Sequence, residues 1–260
     1  MDEGYFIPYL KELAAKYSVA DDLNVTLDRG RIIIDCSKGK FAFVYDFALL
    51  KEGREGCTVP LLHWRSKRRS VELRNIVKTG MVEKPLAMRI HHIVPRGEFD
   101  SSLQDILAYE TDLAEFITGQ KVDRIFADFS GMEYTNCIAS TDGNVKLSME
   151  LGFSPEGSEP VLLHEIVART GIASDVAVDT QTMQYPIYVF KGKKVEHYTD
   201  IDNELYGLEN TQADCIRFIL QVLAEPDCIP ELQEKGEHLR RVWEAAEQSS
   251  RNLIYTGVGD

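Results

Sequence analysis

Asp105 and Tyr109 stand four positions apart in a stretch of helical spacing, so their side chains share one helix face with Asp112 and Phe116. The apolar stripe of Leu103, Ile106, Leu107, Ala114 and Ile117 covers the other side, which directs the Asp105–Tyr109 face to a cleft or to solvent. A carboxylate and a phenol in a cleft could handle the proton of a hydroxyl group. A phenol of ordinary pKa, near 10, is nevertheless a poor base around neutrality unless its pKa is lowered. The plainer reading is a surface carboxylate and phenol on a common helical edge. Glu110 falls inside the apolar stripe and needs a buried partner.

Other residues able to do chemistry are scattered. His91 and His92 are adjacent on a predicted strand, so they leave on opposite faces and cannot easily hold one ion together. His164, His197 and His238 fall in strand, hairpin and helix contexts where a structural role is expected. The five cysteines are widely spaced, with no CxxC and no Cys/His cluster at ligand spacing. They are expected to be reduced thiols, and no metal site is expected. Arg65-Ser66-Lys67-Arg68-Arg69 is the one basic run; it could steer a small anion or simply be a solvated approach to a helix. A net charge of −13 opposes nucleic-acid binding, which depends on neutralising phosphate. The acidic start, Met1-Asp2-Glu3-Gly4, is unlike a signal peptide, and no tract is apolar enough to span a bilayer. A cytoplasmic protein is expected, with no membrane partner.

The elements that must position these residues follow from periodicity. Phe6, Leu10, Leu13 and Ala14 predict a helix over 5–17, followed by strands at 23–27, 31–36 and 41–47 with turns at 28–30 and 37–39. The glycine-rich charged stretch 51–57 is the expected boundary, dividing the chain into 1–58 and 59–260. Beyond it come a strand-like run at 59–64, a short helix capped by Ser70 and ended by Gly80, and a strand at 86–95. A longer helix over 101–118 is expected to be capped by Asp100 and stopped by Gly119. Period-two runs around 125–129 and 145–151, joined through Asp142-Gly143, predict a hairpin. Further strands are expected at 161–170 and at 187–198, the latter folded about Gly192-Lys193, and helices near 216–223 and 239–246. The sum is an α+β protein: a largely antiparallel open β-sheet with helices packed on one face, preceded by a short helix and a β-meander.

Five segments, in order, resemble the C-terminal domain of the Gfo/Idh/MocA oxidoreductases. They are Leu62-His63-Trp64-Arg65 with VELRNIVKTGMV, Asp105 to Leu113, GQKVDRIFA, HEIVARTGIA, and the closing helix KGEHLRRVWEAAEQSSR. The resemblance implies catalytic positions at Asp105 and Tyr109, although Tyr109 stands where the family has a proton-exchanging His. It implies a substrate pocket that Arg65, His92 and His63 would line. Glu83-Lys84-Pro85 copies the family's lysine motif in letters but falls after, not before, the Arg-containing strand, so Lys84 is expected to be a solvated loop residue.

Members of this family hold NAD(P) on a G-x-G-x-x-G turn, a pattern that none of the eighteen glycines makes. The 58 residues before Val59 are also too few for two βαβαβ halves, given ~30 residues per βαβ unit. No cofactor is therefore expected within this chain, and NAD(P) only if a separate nucleotide-binding subunit supplies it. The expected function is a sugar- or cyclitol-binding or oligomerisation module, pairing as a homo-oligomer through its open sheet face. The alternative is an active sugar or polyol dehydrogenase with Asp105 and Tyr109 at the reacting carbon and NAD(P) on a partner.

Overall fold

The structure, a computed structural model, describes residues 3–20, 22–28, 30–47, 49, 57–96, 102–131, 133–175, 187–191, 194–198 and 210–259. Helix α1 (Glu3–Lys16) buries Phe6, Leu10, Leu13 and Ala14 as their spacing requires. Three antiparallel strands follow, β1 (Asn24–Asp28), β2 (Arg31–Cys36) and β3 (Gly39–Val44), in the expected meander. Gly30 turns β1 into β2 at φ +80°, and a Cβ there would sit 2.6 Å from that of Asp46.

β4 (Cys57–Pro60) joins this sheet in parallel with β3, so the expected 58/59 boundary falls inside a paired strand; residues 51–56 lie outside the described set. The strand-like run expected over 59–64 is corrected. β4 ends at Pro60, and His63–Ser66 form a turn of 3-10 helix. Proline has no N–H to continue the ladder, and a short apolar run does not itself distinguish strand from buried helix. Helix α2 (Arg68–Lys78) begins three residues earlier than expected, and Lys67 stands at its N-cap. Ser70 therefore does not cap it; it is buried within the first turn.

The main sheet has seven strands in the order β10-β9-β5-β8-β7-β6-β13. These are β5 (Pro85–Pro95), β6 (Val122–Gly131), β7 (Tyr134–Thr141), β8 (Lys146–Ser154), β9 (Val161–Ala168), β10 (Ile172–Ser174) and β13 (Thr256–Gly257). Every described pairing is antiparallel except β5 with β8. β11 (Ile187–Lys191) and β12 (Lys194–Tyr198) form a separate hairpin; the expected turn at 192–193 lies outside the described residues.

Alternation puts Met88, Ile90, Ile125, Ala127, Cys137, Ala139, Leu147, Met149, Leu151 and Ile166 on one face, all fully buried. On that face lie α3 (Leu103–Thr118) and α5 (Ile229–Asn252), with α4 (Asn210–Ala224) packed on the 63–66 turn. The α+β layout read from the sequence is thus the observed one. The opposite face shows Ile138, Val161 and Ile172, each about half exposed, around an Arg89–Glu165 ion pair at 2.7 Å and a His91–Glu150 contact at 3.1 Å. At the β6 edge, Ser249 and Ser250 of α5 accept the N–H groups of Ala127 and Phe129 (3.1 and 2.8 Å). Leu253 then adopts a left-handed conformation that turns the chain back to pair Thr256 with Ile125.

Candidate functional site

α3 positions the charged groups of the interior, and its start depends on Asp105. Asp100 lies outside the described residues, and the observed cap is Ser102. Its hydroxyl accepts the Asp105 N–H at 3.2 Å while the Asp105 carboxylate accepts the Ser102 N–H at 2.9 Å. The other Asp105 oxygen accepts the N–H of Phe47 at 3.1 Å. Burial raises the pKa of this carboxyl against the lowering effect of those bonds. Both oxygens of Asp105 are thus engaged in holding the helix start and the 45–47 segment. At the far end Gly119, at φ +70°, stops α3 as expected.

One turn further along, Tyr109 occupies a recess. Its ring packs on Trp64 (centroids 4.4 Å apart) and edge-on to His92 (5.1 Å) and His63 (6.4 Å). Lys67 donates to its hydroxyl at 3.1 Å. Tyr109, His63 and Lys67 each keep part of their surface exposed. Burial, reinforced by the charge of Glu110, pushes the Tyr109 phenol well above its ordinary pKa, the opposite of what a base near neutrality needs. Burial lowers the Lys67 ammonium, and burial together with Lys67 holds His63 down at about 3, so His63 is a neutral ring.

Behind the recess the partner that Glu110 requires turns out to be double. The carboxylate, fully buried, lies 2.5 Å from His92 Nδ1 and 2.9 Å from His164 Nε2. His164 Nδ1 in turn lies 2.6 Å from Asp175. Burial opposes charge on both Glu110 and His164, but their mutual attraction prevails. The Glu110 carboxyl falls to about 2, and the His164 imidazole, between two carboxylates, rises to about 10.

Two further carboxylates of α3 are buried and paired. Asp112 receives Trp64 Nε1 at 2.7 Å and a bidentate Arg65 at 2.8 and 2.5 Å. Glu115 takes the Val122 N–H, His238 Nε2 and Lys235. The Arg65 guanidinium is therefore spoken for. It lies towards a different concavity, an open groove of about 970 Å³ lined with Arg74, Phe116, Glu115 and Lys235. Of the sequence-predicted site residues, the fold brings His63, Tyr109 and His92 together. Arg65 faces the groove, and the Asp105 carboxylate turns to the helix start. Lys67 and His164 were not singled out as site residues: Lys67 stood only in the basic run, and nothing local links His164 to a glutamate 54 positions away. Lys84 is exposed, with φ at +44°. Among the described residues no group of three or more His, Cys, Asp or Glu could hold a metal ion, and no helix is long and apolar enough to cross a membrane.

An open, mostly antiparallel sheet backed by α3 and α5 is the fold also seen in dehydrogenases of Gfo/Idh/MocA type. A probable dehydrogenase from Thermotoga maritima superposes with a TM-score of 0.56 at 14% identity, over 83% of this chain and 70% of that one. Scyllo-inositol dehydrogenase from Lactobacillus casei, solved with NAD(H) and scyllo-inositol, gives 0.55 at 12%, over 78% and 65%. Myo-inositol dehydrogenase from the same organism, solved with NAD(H) and myo-inositol, gives 0.56 at 12%, over 84% and 68%. The chain thus matches about two thirds of the length of these enzymes, and at such identities the likeness is one of fold. No family model matches the sequence, and no curated protein matches it.

Proposed function

We propose that this chain is a binding and pairing module of the inositol-dehydrogenase fold: the recess of His63, Lys67, Tyr109 and His92 takes a small polyhydroxylated molecule, a sugar or cyclitol. The observation that carries this reading is the convergence at one half-open place of a cation (Lys67), a phenol bound to it at 3.1 Å, and an imidazole backed by a buried carboxylate. Such groups offer donors and an acceptor to neighbouring hydroxyls, and the aromatic rings of Trp64 and Tyr109 give the recess an apolar wall. The fold neighbours solved with inositols point to the same ligand class. The raised pKa of Tyr109 and the engaged carboxylate of Asp105 favour binding over hydroxyl oxidation.

A nicotinamide cofactor, where chemistry occurs, would come from a nucleotide-binding domain outside residues 1–260. Copies of the module pair through the exposed sheet face around Ile138, Arg89–Glu165 and His91–Glu150. All five cysteines are free, which accords with a reducing, cytoplasmic setting.

The test is thermal shift with myo-inositol, scyllo-inositol and hexoses. A dose-dependent rise in Tm that Tyr109→Phe and Lys67→Met both diminish supports the recess. No rise with any of them, or an undiminished rise in both variants, refutes it. Micromolar NAD binding by the purified chain alone would refute the assignment of the cofactor elsewhere.

A further inference from the structure

Asp175, His164, Glu110 and His92 form one unbroken hydrogen-bonded row drawn from the end of β10, β9, α3 and β5, with links of 2.6, 2.9 and 2.5 Å. His164 sits between two carboxylates, and a ring nitrogen meeting a carboxylate must be the donor, so both of its nitrogens carry protons. Its raised pKa, about 10, agrees with that assignment. The remaining oxygen of Glu110 is again an acceptor, so the proton of His92 lies on Nδ1. A neutral imidazole has only one N–H, so in that form the Nε2 of His92 is left with a bare lone pair. That nitrogen makes no hydrogen bond with any described residue, although the side chain is only 11% exposed.

Around His92, the Glu110 carboxylate is matched by the His164 cation, and Lys67 stands at the Tyr109 hydroxyl. Tyr109 covers one edge of the ring, and Arg69 and Asp214 act on that same phenol with opposing signs.

We infer that Asp175, His164 and Glu110 are positioning residues that lock His92 in its Nδ1–H tautomer, so that its Nε2 accepts a hydrogen bond from a hydroxyl of the bound ligand. This rests on the recess being a polyol site, and it assigns the acceptor there to His92 instead of the phenol of Tyr109. Lys67 and Tyr109 then serve as donors, giving the recess a fixed polarity that selects adjacent hydroxyls.

The test is ¹⁵N-histidine NMR on the intact chain, first without ligand and then with myo-inositol or a hexose that passes the thermal-shift screen. Expected near neutral pH are a pyrrole-like Nδ1 and a pyridine-like Nε2 for His92, two protonated nitrogens for His164, and an Nε2 resonance that moves on titration. Glu110→Gln should replace the single tautomer of His92 by a mixture. A protonated Nε2 in the free protein overturns the inference whatever binds. Binding seen by thermal shift without movement of Nε2 also overturns it and leaves the recess reading intact. A bare Nε2 with no sugar or cyclitol binding at all overturns the recess reading and, with it, the hydroxyl partner assigned here.

Discussion

Replacing Glu110 by Gln removes the negative charge between two histidines at a site with no solvent access. The His164 cation keeps only Asp175, and breaking one side of a buried ionic network costs about 3–5 kcal/mol. Because Asp175 remains, the lower end, ~3 kcal/mol at pH 7, is expected. The pH dependence is the sharper signature. His164 is raised to about 10 in the folded chain, from an ordinary 6.5 when unfolded. A raised pKa contributes stability that is fully present below the unfolded value and is lost as pH climbs through the folded one. Across that window the folded chain holds one more proton, so this group alone lowers stability by about 1.4 kcal/mol per pH unit. In the Gln variant the window narrows, and the gap between wild type and variant should shrink steadily from pH ~7 to ~9. Urea titrations of both proteins at several pH values give this difference directly, with other titrating groups cancelling. A gap that stays constant over the range, or a variant as stable as wild type at neutrality, would refute the claim that His164 is held charged by Glu110.

Two further outcomes follow from the same helix. Asp105→Ala loses the reciprocal cap with Ser102 and the bond to Phe47 N–H, so denaturant unfolding should register a loss of about 1–2 kcal/mol. Sugar binding should stay within a factor of about two in that variant, since a capping loss leaves the recess intact. Asp112→Ala removes the acceptor and the charge facing Arg65, Trp64 and Lys235; a loss of about 3 kcal/mol and altered Trp64 fluorescence are expected, whereas an unchanged emission spectrum would contradict the 2.7 Å indole bond.

Much of the fold was legible because burial imposes a period. Val145, Leu147, Met149 and Leu151 alternate in the chain and are all fully buried, and Asp142-Gly143 does turn the chain into β8, though from β7 (Tyr134–Thr141), a strand the pattern did not mark, and not from the 125–129 run. The need of Glu110 for a buried partner could also be read, since a carboxylate inside an apolar stripe has no other resolution. Its partners could not: His92 and His164 reach it across β5 and β9, whose register depends on the whole sheet. The parallel pairings β3–β4 and β5–β8 are long-range for the same reason. At α3 a local signal was present and misplaced. Ser102-Leu103-Gln104-Asp105 is a capping box in letters, and the Asp105 within it resembled a catalytic acid because the same side chain suits both tasks. Likewise the 59–64 run was apolar enough for strand or turn, and Pro60 decided it.

The two serines of α5 that take the Ala127 and Phe129 N–H groups, with the short return of Thr256–Gly257, leave few vacant donors along that flank of the seven-stranded sheet. A neighbouring molecule therefore finds little there on which to template another strand, and stacking into a continuous cross-chain ribbon is discouraged at that margin. Concentrated protein should consequently resist fibril growth from this side even when its flat surface is crowded against other copies.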